Sequence, residues 1–67
     1  MTLRIKVERL KKNWTQTELG ARSGLSASEI SRIETGRFLP YPRQAGRLAK
    51  ALKLQPEELL QPVDGAV

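Results

Sequence analysis

Two helix-start signals eleven residues apart, with Gly24 just ahead of the second, restrict this chain more than any other feature. Thr15-Gln16-Thr17-Glu18 and Ser26-Ala27-Ser28-Glu29 both have the capping-box form. In that form a hydroxyl at the cap accepts the amide hydrogen three residues on, and the carboxylate there accepts the cap's own amide hydrogen. Glycine readily takes the positive φ that a helix C-terminus often needs. The helix opened at Thr15 is therefore expected to end at Gly24, and a second helix to begin almost at once. Leu25 precedes that second helix, Ile30 and Ile33 carry its apolar face, and Gly36 stops it.

The flanking segments read as helices too. Leu3, Val7 and Leu10 recur at i, i+4 and i+7, which is one stripe of a helix over about Leu3 to Lys12. Ile5 falls on the far side of that stripe, either exposed or facing a second packing partner. Asn13 tolerates the left-handed conformation and can stop the helix. Trp14, just before the Thr15 cap, can staple the entry to the next helix, with Leu19 beyond the box. Arg37 to Pro42 reads as a loop, with Phe38, Leu39 and Tyr41 as an exposed apolar cluster that either forms a contact between copies or folds back on the core. A fourth helix runs from about Pro42 to Lys53, with Ala45, Leu48, Ala49 and Leu52 buried. Gln55-Pro56-Glu57-Glu58 opens a short fifth, with proline in the first turn and acids at the positive end of the helix dipole. Leu59 and Leu60 close the core. The expected fold is an all-α, compact five-helix bundle over residues 1–61, followed by a flexible tail, 62–67.

Composition removes several classes of function. The 67 residues allow one domain, and with neither Cys nor His the chain forms no disulfide, zinc finger or iron–sulfur centre. No Gly-rich phosphate loop or metal-ligand spacing is present, so neither an enzyme nor a cofactor is expected. No apolar run approaches the roughly 18 residues of a membrane span, and Met1 to Lys12 lacks the apolar block of a signal peptide. No membrane partner is expected, and cytoplasmic residence is the expectation. All 12 basic residues lie within residues 1–53 alongside four acids, a balance of +8; residues 54–67 carry only Glu57, Glu58 and Asp64, a balance of −3. A basic body suits a polyanion, although charge alone does not separate a polyanion partner from a solvated basic surface.

Two short helices joined by a tight glycine-containing turn make a helix-turn-helix, here the second and third helices. The later helix of the pair must stand clear of the body to enter a major groove about 12 Å wide. Small Gly20 and Ala21 let one of them sit against it. Gly20 otherwise makes little sense, since glycine inside a helix costs about 1 kcal/mol against alanine.

Trp14-Thr15-Gln16-Thr17-Glu18-Leu19-Gly20, Ser23-Gly24-Leu25-Ser26 and Ile30-Ser31-Arg32-Ile33-Glu34-Thr35-Gly36 resemble the phage repressor and Cro family of DNA-binding domains, the Xre family. The resemblance continues through Leu48-Ala49-Lys50-Ala51-Leu52 and Pro56-Glu57-Glu58-Leu59-Leu60, and covers about Ile5 to Leu60. One departure is Gly20, where the family usually has alanine.

The resemblance implies a lambda-repressor-like bundle and a set of roles. Ala27, Ser28 and Arg32 match the groove-facing positions, with Arg32 the candidate reader of guanine through its bidentate guanidinium, and Ala27 suited to a thymine methyl. Ser31 is ambiguous but belongs with this base-reading set. Thr15, Gln16 and Ser26 at the helix starts, and Thr35, Arg37 and Arg43 around the following loop, are expected to contact the DNA backbone. Glu29 is expected to cap rather than read cytosine. Arg9 and Glu34 match a structural ion pair. Arg47, Lys50 and Lys53 are as readily solvated as in contact.

The resemblance further implies double-stranded DNA as partner, a homodimer on a palindromic operator, and action as a transcriptional repressor. The alternative is an antitoxin or other protein-interaction module of the same fold. Its acidic tail would dock a protein partner such as a toxin, with DNA binding secondary.

Overall fold

The computed structural model describes residues 2–64. A two-residue strand, β1 (Thr2–Leu3), leads into α1 (Arg4–Lys11), α2 (Gln16–Ser23), α3 (Ala27–Glu34) and α4 (Pro42–Leu52). A 3-10 turn (Pro56–Glu58) and a second two-residue strand, β2 (Pro62–Val63), follow.

The helix boundaries follow local chemistry. Asn13 takes φ +58° just past Lys12, the C-cap of α1, as expected of a residue that tolerates this region. Thr15 Oγ1 accepts the Glu18 amide hydrogen at 3.0 Å and so caps α2. The expected reciprocal bond is not formed. Glu18 Oε2 instead meets Arg22 Nε at 2.9 Å, one turn along the helix. The second box is complete: Glu29 N donates to Ser26 Oγ at 3.1 Å, and Ser26 N donates to Glu29 Oε1 at 3.0 Å. Gly24 ends α2 in the left-handed conformation at φ +76°.

The core holds Ile5, Leu19, Leu25, Ile30, Ile33, Leu48, Ala49, Leu52 and Leu59. Burying a large aliphatic side chain stabilises the fold by about 1.5–3 kcal/mol each. Ile5 is fully enclosed, whereas Leu3 and Leu10 of the expected stripe are only half-buried. The cause lies at the chain ends. Ile5 N donates to the Leu59 carbonyl and Arg4 N to the Gln61 carbonyl, both at 2.9 Å, which draws this side of α1 against the returning chain.

Two expectations about the C-terminal part are corrected. The described residues contain four α-helices rather than five. After Pro56 only i→i+3 bonds form, Glu58 N to Gln55 O and Leu59 N to Pro56 O. The chain turns there to drop Leu59 into the core and to return alongside α1. Pro62–Val63, expected within a free tail, pairs antiparallel with Thr2–Leu3, with Thr2 opposite Val63 and Leu3 opposite Pro62. The rest of that tail, from residue 65, lies outside the described residues.

Candidate nucleic-acid interface

The closeness of α2 and α3 depends on Gly20. A Cβ at this position would lie 2.5 Å from the Leu25 carbonyl oxygen and 3.3 Å from the Ser26 carbonyl carbon. Gly20 O also accepts the Leu25 amide hydrogen at 2.9 Å, so the backbone of α2 rests directly on the turn. Of the two small residues, Gly20 makes the contact and Ala21 is exposed.

The core side of α3 is made by Ile30, Ile33 and Glu34. Its opposite side presents Ser28 and Arg32, both exposed and one turn apart, with Ala27 and Ser31 half-buried beside them. Arg32 is the only long cationic side chain on α3. Thr35 ends the helix, and its hydroxyl lies 3.1 Å from the carbonyl oxygens of Ser31 and Arg32.

A buried polar network ties α3 to α1 and to the start of α2. Arg9 Nε donates to Glu34 Oε2 at 2.7 Å, and Nη2 to Glu34 Oε1 at 3.1 Å. Arg9 Nη1 also donates to the Trp14 carbonyl at 2.7 Å, which holds the chain just before the α2 cap. Gln16 Nε2 donates to the same Glu34 Oε1 at 3.1 Å. One carboxylate thus receives both Arg9 and Gln16. A primary amide carries two donor hydrogens, so Gln16 retains one for a further acceptor.

The remaining candidates sit at helix starts and in the loop after α3. Thr15 and Ser26 are the exposed N-caps of α2 and α3. Arg37 is exposed in the loop, with its amide bonded to the Arg32 carbonyl at 2.9 Å. Arg43 is exposed in the first turn of α4. In the same loop Phe38 is half-buried against the core, its ring 5.8 Å from that of Tyr41 in an edge-on arrangement. Leu39 and Tyr41 remain 72% and 66% exposed.

Glu29 has both carboxylate oxygens engaged. Oε1 accepts from Ser26 N, and Oε2 accepts from Gln44 Nε2 on α4 at 3.3 Å. The bond from the Ser26 amide holds the carboxyl below its ordinary pKa; desolvation, the next largest effect, opposes it, and the Ser26 hydroxyl, Gln44 and the charge of Arg32 add to the lowering. Gln44 is not among the residues that the sequence singles out. The available signal was its place three residues after Tyr41 at a proline-led helix start, the spacing at which a glutamine returns to the cap. Gln44 Oε1 does accept the Tyr41 amide hydrogen, at 2.9 Å.

At the other end of α2, an open basic cleft of about 430 Å³ is lined by Arg22, Ser23, Gly24, Arg47, Lys50 and Ala51. Arg22 is already committed there, to Glu18 and to the Trp14 ring 4.3 Å away. No helix among the described residues is long and apolar enough to cross a membrane.

Residues 5–59 match the model of a helix-turn-helix family. The crystal structure of the P22 c2 repressor protein in complex with synthetic operator 9T is similar, with a TM-score of 0.82 and 34% identity over 87% of this chain and 88% of that one. The solution structure of the DNA-binding domain of the P22 c2 repressor (1-76) gives a TM-score of 0.77 and 31% identity over 96% of this chain and 90% of that one. No curated protein matches the chain.

Proposed function

The chain belongs to the phage repressor and Cro-like (Xre) helix-turn-helix family, and on that premise we propose that it is a transcriptional repressor that reads a specific DNA sequence with α3 in the major groove. The observation that carries this reading is the two-sidedness of α3. One side is locked by Ile30, Ile33 and the Glu34 network, and the other offers Ser28 and Arg32 to solvent. The similar P22 c2 repressor structure is a complex with operator DNA.

In this reading Arg32 pairs with O6 and N7 of a guanine, with Ala27, Ser28 and Ser31 against neighbouring base edges. Thr15, Gln16, Ser26, Thr35, Arg37 and Arg43 hold the backbone and set the register of α3. Gln16 addresses a phosphate with the amide hydrogen that Glu34 leaves over. The protein acts in the cytoplasm, without enzymatic activity, as a homodimer on a palindromic operator.

Leu39 and Tyr41 support a second reading, in which that exposed apolar pair seats a different protein and DNA binding is secondary. A gel shift and footprint on the DNA upstream of its own gene test the first reading. A protected two-fold site supports it. Binding no tighter than to random sequence at physiological salt contradicts it.

A further inference from the structure

The first turn of α4 has no fully buried apolar side chain. Pro42 and Arg43 are exposed, Ala45 is half-buried, and the first enclosed residue is Leu48. What this turn has instead is Gln44. Its Oε1 accepts the Tyr41 amide hydrogen at 2.9 Å, and its Nε2 donates to Glu29 Oε2 at 3.3 Å. Glu29 Oε1 in turn accepts the Ser26 amide hydrogen at 3.0 Å. An unbroken run of polar contacts therefore joins the N-cap of α3 to the N-cap of α4, across the loop that carries Arg37.

We infer that Gln44 is a positioning residue for DNA recognition: it straps the start of α4 to the start of the reading helix, and so fixes the phosphate-facing Arg43 relative to the base-facing Ser28 and Arg32. This rests on the DNA-reading role of α3. Register matters because phosphate contacts place a reading helix while base contacts discriminate. A first turn of α4 held only by the apolar contacts of Ala45, Leu48 and the Phe38–Tyr41 pair, none of which reaches the start of α3 by a directional bond, lets Arg43 engage phosphate with α3 displaced from its bases. The strap has a second effect. By occupying Glu29 Oε2 it satisfies a carboxylate that otherwise presents a free acceptor beside the phosphate-facing caps.

The two ends of the strap can be exchanged. Gln44→Glu keeps an acceptor for the Tyr41 amide but removes the donor toward Glu29 and sets two carboxylates against each other. Combining it with Glu29→Gln restores the bond between the two side chains with its polarity reversed and leaves the Ser26 and Tyr41 amides as donors. The amide introduced at 29 donates to the carboxylate introduced at 44, and its oxygen still accepts from Ser26. The charge of the pair returns to its original value.

The test measures affinity for the preferred sequence and for random DNA, with the thermal midpoint of each variant. Taking the ratio of the two affinities cancels the uniform effect of added negative charge. We expect Gln44→Glu to lower that ratio about fivefold or more, and the exchanged pair to recover it to within about twofold. An unchanged ratio in Gln44→Glu overturns the inference. So does an exchanged pair that regains the thermal midpoint but not the ratio. An unaltered protein that prefers no sequence overturns the DNA-reading role itself, and this inference with it; a ratio that Gln44→Glu leaves unchanged in a protein that does prefer a sequence overturns this inference alone.

Discussion

Arg9 and Glu34, 25 positions apart, meet side by side: Nε to Oε2 at 2.7 Å and Nη2 to Oε1 at 3.1 Å. Both side chains are almost wholly enclosed, at 8% and 2% exposed. A buried pair of this kind contributes little net stability over an apolar pair, but removing one partner strands the other charge. Glu34→Ala also frees Gln16, which shares the same carboxylate. Chemical denaturation of Glu34→Ala is expected to show a loss of about 3–5 kcal/mol. A loss under about 1 kcal/mol, the scale of an exposed pair, contradicts a buried network.

Gly20 and Gly46 should respond in opposite directions to the same change. At Gly20 a methyl group meets the Leu25 carbonyl at 2.5 Å, backbone that moves only if the α2–α3 turn opens. Gly20→Ala is expected to destabilise by about 1–3 kcal/mol, as overpacking does. At Gly46, inside α4, a Cβ meets nothing within 4 Å. Gly46→Ala is expected to stabilise by about 0.5–1 kcal/mol through helix propensity. Paired thermal melts check both signs.

The complete capping box of α3 makes stability depend on acid. Glu29 titrates below its ordinary value because the Ser26 amide, first among its partners, bonds the charged form. A carboxyl whose folded pKa is depressed contributes fully above its unfolded pKa and loses that contribution as pH falls through the folded one. Stability of the unaltered protein relative to Glu29→Gln is therefore expected to hold near neutrality and to fall as the pH drops below about 4.5. A difference that stays flat into acid contradicts the role of the charged cap.

Lys53 closes α4 at φ +58°, a conformation that L side chains adopt at a cost. Lys53→Gly is expected to raise stability by up to about 1 kcal/mol. A lower melting temperature instead shows that the lysine side chain contributes more than its backbone conformation costs.

Local chemistry was legible in the sequence where a residue acts on its neighbours. The Ser26–Glu29 box, the left-handed Asn13 and Gly24, and the apolar side of α3 all depend on contacts within one turn. Competition between partners, and contacts between residues far apart in sequence, were not legible. Glu18 had the spacing of a cap but also Arg22 one turn on, and the ion pair took it. Ile5 lay off the stripe of α1, yet the returning chain from Leu59 to Val63 buried that side. A fifth helix was expected after Pro56, but the turn needed to seat Leu59 left room only for 3-10 bonds. In the candidate interface the sequence points to Gly20 or Ala21 as the small contact residue. Gln44 was missed, because its bond to Glu29 spans 15 positions and leaves no periodic mark.

In the proposed mode of binding the Ser28–Arg32 side of α3 reads bases while Arg43 holds phosphate. The direct measurement is binding of Arg32→Ala and Arg43→Ala to the preferred sequence, to its single-base variants and to random DNA across a salt series. Arg32→Ala is expected to lose about 1–3 kcal/mol on the preferred sequence and to relax discrimination at one base pair. Arg43→Ala is expected to weaken all sequences alike and to reduce the salt dependence by about one unit of slope. If Arg32→Ala weakens preferred and random DNA equally and discriminates bases as before, α3 does not read sequence through Arg32.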